Sequence, residues 1–194
     1  MMSYLRPSLV LVILLTLITG IAYPLLTTGL AQFIFSDKAH GSLAMLGGEA
    51  VGSTLIGQPF TQPGYFSGRP SATSDIPYNA LSSGGSNLAI SNPALDVEIK
   101  ERIKAQRLAN PDQTGPVPVD LVTASGSGLD PQISLEAAYY QANRVAKARQ
   151  LTLSEVRDLI AKNEQKSVPN FLGESVVNVL ILNMALDSVK PLKQ

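Results

Sequence analysis

The feature that most constrains this chain is a stretch without charge. Between Arg6 and Asp37 lie 30 uncharged residues, Pro7 to Ser36, and the run PSLVLVILLTLITGIAYPLL within it is dominated by Leu, Ile and Val. A bilayer hydrocarbon core about 30 Å thick is crossed by roughly 20 helical residues, so this run can span it with some tilt. It predicts one transmembrane helix, about Ser8 to Phe33, within a membrane segment 8–35 that follows a short N-terminal segment, 1–7. As a buried core helix, apolar on all sides, it would have to fill the centre of a domain only about 160 residues long. A cleaved signal peptide would take Arg6 as its charged start, Pro7 to Thr19 as its apolar middle and Gly20-Ile21-Ala22 as its cleavage site. The apolar stretch continues, however, through Leu25, Leu26, Leu30, Phe33 and Ile34, where a mature polar terminus would be expected. Pro24 predicts a kink, which membranes tolerate when neighbouring helices re-satisfy the freed carbonyl. Gly20, Ala22 and Gly29 are small enough to let such neighbours approach.

Arg6 and the free N-terminus on one flank, against Lys38 beside Asp37 on the other, favour an N-terminus inside the cytoplasm. Residues 36–194 then form an extracytoplasmic domain, in a bacterial periplasm or its equivalent. The chain has no cysteine, which fits an oxidising compartment and removes disulfides, thiolate nucleophiles and cysteine zinc sites. With a single histidine, His40, only carboxylates remain as plausible metal ligands, and their spacing makes no cation cage. Fifteen basic residues balance 15 acidic ones, so no basic field for nucleic acid exists.

The exterior segment reads as α+β, loop-rich in its first half and helical in its second. From Gly47 to Asn92 it is dense in Gly, Ser, Pro and Asn, with a strand expected near Ser53 to Ile56. Asn92-Pro93 then caps a helix in which Leu95, Ile99 and Ile103 repeat every four residues, ending at Asn110-Pro111. Its Lys100, Arg102, Lys104 and Arg107, interrupted by Glu98 and Glu101, read as a solvated face with pairing along the helix. Val117 to Thr123 is a second strand candidate. Ser134 caps a helix to about Arg149, and Thr152 with Glu155 forms a capping box for the next. A last helix is expected from Ser175 to about Asp187, apolar on nearly every side except Asn178 and Asn183, and so central to the domain.

Candidate chemistry is sparse. Gly126-Ser127-Gly128, between an expected strand and an expected helix, has the beginning of a phosphate-binding turn but lacks the third glycine and any following Gly-Lys-Ser/Thr. Ser125, Ser127 and Ser134 could act as nucleophiles only with a base, and His40 is far away along the chain. Arg69 precedes Pro70 and so lies in an extended segment, where its guanidinium is free to pair with a carboxylate or carbonyls. Ser83, Gly84, Gly85, Ser86 and Asn87 supply small polar groups and backbone amides suited to docking a surface. Asp75, Asp120 and Asp130 read as turn and cap residues.

These residues also carry a resemblance. Tyr23-Pro-Leu-Leu-Thr-Thr-Gly29, Gly52-Ser-x-Leu-Ile-Gly-Gln58, Tyr65-Phe-x-Gly-Arg-Pro-Ser-Ala72 and Ser83-Gly-Gly-Ser-Asn-Leu88 appear in order. Asp120-Leu-Val-Thr-x-Ser-Gly-Ser-Gly-Leu-Asp-Pro131, Arg144-Val-Ala146, Val177-Asn-Val-Leu180 and Leu182-Asn-x-Ala-Leu-Asp187 follow. Together they resemble the C subunit of the Kdp-type potassium-transporting ATPase over nearly the whole chain. Gln132 departs from that pattern, where histidine is often expected after the Asp-Pro. The resemblance implies a single-pass accessory subunit with no ATPase site or pore of its own and no tightly bound cofactor. Its implied partners are a potassium-channel-like subunit, a P-type ATP-hydrolysing subunit and a very small single-span subunit. Potassium is the transported ion. Two roles are implied: a catalytic chaperone that shares ATP with the P-type subunit, for which Leu81-Ser-Ser-Gly-Gly-Ser86 resembles the signature of ABC transporters, or an extracytoplasmic cap over the potassium entrance. The expected orientation favours the cap. The sites implied are the loops around Arg69, Ser83 to Asn87 and Gly126 to Asp130, with Gln132, and the membrane residues Gly20, Ala22, Pro24 and Gly29.

Overall fold

A computed structural model describes residues 4–167 and 173–192. The first residues of the expected segment 1–7 lie outside the described residues. The chain divides into two compact units, Met1–Leu43 and Ala44–Gln194.

The first unit is a long apolar helix. It runs as α1 (Leu5–Leu17), a π-helical turn (Ile18–Ala22) and α2 (Tyr23–Ile34), 30 residues in which the most apolar window is not buried at all. Pro24 is accommodated at the start of α2 by the π turn ahead of it. A one-turn helix, α3 (Ser36–Ala39), follows.

The second unit confirms the mixed α and β character and corrects several elements. The first strand pairing lies ahead of the expected Ser53–Ile56: β1 (Leu43–Leu46) pairs with β2 (Glu49–Ser53), and residues 54–56 are turn. Gly47 and Gly48 both take positive φ, as two-residue hairpin turns require, and this fixes the strands on either side of them. Helix α4 (Pro93–Ala109) starts at the expected cap, where Asn92 Oδ1 accepts Ala94 N–H. Its apolar row is only half-buried, and no residue of the helix is fully buried. Lys100, Lys104 and Arg107 are exposed, whereas Arg102 pairs with Glu98 at 2.8 Å and donates to Val122 O.

The expected strand 117–123 is a 3₁₀ turn, Val119–Leu121. Pro118, with Pro116 just ahead of the segment, denies it ladder donors, and the Asp120 carboxylate instead accepts Ser134 N–H at 2.8 Å. The C-terminal region is built from two strand-to-helix units. Strand β3 (Gln132–Ser134) runs into α5 (Leu135–Arg149) through the Ser134 cap, and β5 (Val176–Asn178) runs into α7 (Val179–Val189) through Asn178, whose Oδ1 accepts Ile181 N–H. The last helix therefore begins four residues later than expected. Asn178 is an N-cap, and the valines before it pair as a strand. Between the units, the expected Thr152–Glu155 capping box opens α6 (Leu153–Lys162), followed by β4 (Glu164–Gln165). The sheet order is β3-β5-β4, antiparallel, with Ile133 opposite Val177 and Gln165 opposite Val176.

Ile133 and Val177 point into the core, where Ala137, Ala138, Ala142, Val145 and Ala146 of α5 meet Val156 and Ile160 of α6 and Leu182 and Leu186 of α7. The alanines let α5 approach its neighbours closely. Phe66 and Leu121 are fully buried in the same cluster, although neither belongs to a regular α-helix or strand.

Candidate functional site

Phe66 marks a strap of extended chain that is held by side chains rather than by a sheet. Asn183 of α7 receives Phe66 N–H at its Oδ1 and donates its Nδ2 to Phe66 O, both at 2.9 Å. Gln141 of α5 does the same for Ser67, accepting its N–H at 2.9 Å and donating to its carbonyl at 3.1 Å. Each carboxamide imitates one rung of a β-ladder, so the strap crosses the helices with its backbone groups satisfied. Arg144 donates to Pro63 O and Tyr65 O just upstream. Arg149, its side chain wholly buried, pairs with Asp187 at 2.8 Å, lies over the Tyr65 ring and donates to Gly64 O. Tyr65 hydroxyl closes that group on Asp187, and burial followed by the Asp187 contact raises its pKa.

The strap delivers Arg69 to the candidate site. Its guanidinium lies 3.3 Å from Asp130 and 3.9 Å from Asp120, with Thr123 Oγ1 at 3.5 Å. The pairing expected for Arg69 is thus with two carboxylates, and Asp120 and Asp130 serve it as well as the turns. Tyr78 donates its hydroxyl to Arg69 O at 2.6 Å. Burial above all, then the charge of Asp130, pushes that hydroxyl up to about 12, so it remains a donor at any physiological pH.

Around this ion pair the two small-residue loops are brought together. Gly84 N–H and Ser83 Oγ both donate to Ser127 O, at 2.9 and 3.0 Å. Gly85 packs on the backbone of Ser125 and Gly126. Gly128 has φ +67°, and an added Cβ would fall 2.6 Å from Gly84 O and from Thr73 Cγ2. Ser71 Oγ donates to Gly128 O, and Gly57 N–H to Leu129 O. Gly126 itself faces open space, Ser86 is half-buried, and Asn87 is exposed with a left-handed φ. Gln132 donates its backbone N–H to Asp130 Oδ1 and its side-chain amide to Gln165 Oε1 at 2.8 Å, bracing the start of the sheet.

The phosphate-turn context expected for Gly126-Ser127-Gly128 is not present. A 3₁₀ turn precedes the loop and a strand follows it, so no helix begins directly after it. Gly128 N–H donates to Ser125 Oγ and Leu129 N–H to Ser127 Oγ, which commits amides and hydroxyls alike to the loop. His40 Nδ1 lies 2.7 Å from Ser36 O. Among the described residues, no group of three or more His, Asp or Glu side chains is placed to hold a metal ion. Gly20, Ala22, Pro24 and Gly29 are all exposed on the apolar helix.

Sequence reasoning missed Gln141, Asn183, Tyr78 and Ser71 as site supports. Only Asn183 left a local signal, as a polar residue in an otherwise apolar helix.

Comparison with known proteins identifies the family. The model of the family "KdpC: K+-transporting ATPase, c chain" matches residues 5–188. A potassium-transporting ATPase KdpC subunit of Yersinia enterocolitica is 73% identical over 192 residues, 99% of this chain and 96% of that protein. Proteins of the same name from Serratia proteamaculans and Sorangium cellulosum are 66% and 55% identical, over 97% and 98% of this chain and the whole of each relative. An apolar N-terminal helix, a small mixed domain and near-complete alignment across these relatives place the chain in the KdpC family of K+-transporting ATPase c chains.

Proposed function

We propose that this chain is the non-catalytic accessory subunit of an ATP-driven potassium uptake complex, anchored in the bacterial inner membrane by Leu5–Ile34 with residues 36–194 outside the cytoplasm. Family membership supports the subunit assignment. The finer role is a cap docked on the channel-like partner near the potassium entrance, in a complex completed by the P-type ATP-hydrolysing subunit and the small single-span subunit. ATP belongs to the P-type partner, and potassium is the transported ion.

The observation that carries the cap reading is the knitted pair of loops. Amides that could cradle a phosphate at Gly84, Gly128 and Leu129 donate within the protein, so the surface is preorganised for a partner rather than open to nucleotide. Leu81 and Ile90, 98% and 95% exposed, stand on either side of the Ser83–Asn87 segment as apolar tips for such a partner.

The absence of cysteine makes the test clean. A Leu81→Cys variant in spheroplasts should react with a membrane-impermeant maleimide when the subunit is alone and be shielded when the whole complex is co-expressed. In sealed inverted vesicles it should not react. Labelling from the cytoplasmic side, or equal labelling alone and in complex, would refute the cap. Photoreactive ATP should modify the P-type partner and leave this chain unmodified.

A further inference from the structure

Pro24 has no amide hydrogen, and the π-helical turn before it redistributes the bonds of the helix. Tyr23 N–H donates to Ile18 O, five residues back. The carbonyl of Thr19 thereby loses its donor at i+4, and its donor at i+5 would be Pro24. The carbonyl of Gly20 loses its i+4 donor to the same proline, which leaves it only the i+5 amide, that of Leu25. Nearby hydroxyls are spent elsewhere: Thr19 Oγ1 donates to Leu15 O, and Thr27 Oγ1 to Tyr23 O and Pro24 O. Two successive carbonyls are left short of their ordinary helical donors.

Their depth makes this consequential. The apolar helix is 30 residues, Leu5–Ile34, and its midpoint falls between Thr19 and Gly20. At 1.5 Å per residue each end is about 22 Å from that point, while half a hydrocarbon core is about 15 Å. The carbonyls therefore lie where water does not reach, and a polar group left unsatisfied there is costly. The same place is open to approach. Gly20 has no side chain, and the nearest atom to a Cβ built on it is Thr16 Cγ2 at 4.0 Å.

We propose that the π turn is a hydrogen-bonding dock for a transmembrane helix of another subunit, which inserts a side-chain donor, a hydroxyl or carboxamide, against the carbonyls of Thr19 and Gly20. This rests on the reading above that the helix stays in the membrane within the potassium-transporting complex. The π turn keeps the acceptors, Gly20 gives access, and the bilayer midplane supplies the penalty for leaving them unpaired.

The test uses the full chain co-expressed with its complex. In a Tyr23→Thr variant the new hydroxyl sits four residues after Thr19, the spacing at which Thr19 and Thr27 already bond to Leu15 and Tyr23 carbonyls. Tyr23→Val has the same shape without the hydroxyl. Internal satisfaction of the Thr19 carbonyl should weaken association of the Thr variant in detergent by about 3- to 20-fold relative to the Val variant. Equal retention overturns the proposal. Independently, a single cysteine at Thr16 should cross-link to another subunit, while one at Leu14 should not. Cross-linking solely to a second copy of this chain, or from Leu14 alone, also overturns it. Release of the wild-type chain from membranes by carbonate would instead refute the membrane reading beneath it.

Discussion

Two buried carboxamides decide where the strap lies. Asn183 and Gln141 are 1% and 0% exposed, and each satisfies both backbone groups of one strap residue. Replacing either with leucine keeps the approximate volume but orphans a buried N–H and C=O. An unsatisfied buried group costs about 1–3 kcal/mol, so Asn183→Leu should lose about 2–5 kcal/mol in urea unfolding of the full chain in detergent, followed by far-UV circular dichroism. A loss under about 1 kcal/mol would show that the strap is not held this way. Glycine positions in the paired loops should separate just as sharply. Gly128→Ala forces a residue with a side chain into φ +67° and against Gly84 O, whereas nothing lies within 4 Å of a Cβ at Gly126. The first should cost about 2 kcal/mol or more and the second stay within about 0.5 kcal/mol. The two measurements together distinguish a loop that needs its glycine from one that merely contains it.

Elements whose signals are local were legible in the sequence; those set by distant partners were not. The caps at Asn92 and Ser134 and the Thr152–Glu155 box each involve residues within three positions of one another, and all three appear as read. Val117–Thr123 looked like a strand because its valines outweighed Pro118, yet no ladder can use that proline as a donor. In the last helix the apolar run concealed a strand, because β5 exists only by pairing with β3 and β4. The strap was legible as an extended arginine before proline, but its clamps lie 74 and 117 residues away, beyond any periodicity. At the capping box, Glu155 accepts Thr152 Oγ1 and Thr152 N–H, and these bonds lower its pKa from an ordinary 4.5. A carboxyl group whose folded-state pKa is depressed stabilises fully above its unfolded value and ceases to do so as the pH falls through the folded one. The wild-type chain should therefore exceed Glu155→Gln in stability near neutral pH. Urea midpoints of the two should converge as the pH drops below about 4. A difference that stays constant across that window would detach the effect from this carboxylate.

At the scale of the whole molecule, the packing of the second unit is self-contained. Among the described residues, the core from Phe66 through Leu186 and the half-buried apolar residues packed on it, from Phe60 to Leu159, all come after the apolar helix. Residues 37–194, which keep the β1–β2 hairpin and discard the membrane segment, should accordingly fold alone and unfold cooperatively in urea at a midpoint close to that of the full chain. The same fragment should neither hydrolyse ATP nor select potassium. In its candidate loops Gly84 N–H donates across to Ser127 O and the Gly128 and Leu129 amides donate within their own loop, and the carboxylates of Asp120 and Asp130 are engaged with Arg69. Potassium selectivity needs a preorganised ring of oxygens such as a channel filter supplies, and two arginine-paired carboxylates are not one. Titration calorimetry of the fragment with potassium and with sodium should give no difference between the ions. Potassium-specific binding at sub-millimolar affinity would move the first recognition of the ion from the channel-like partner to this domain, and the cap would then have to be read as a receptor.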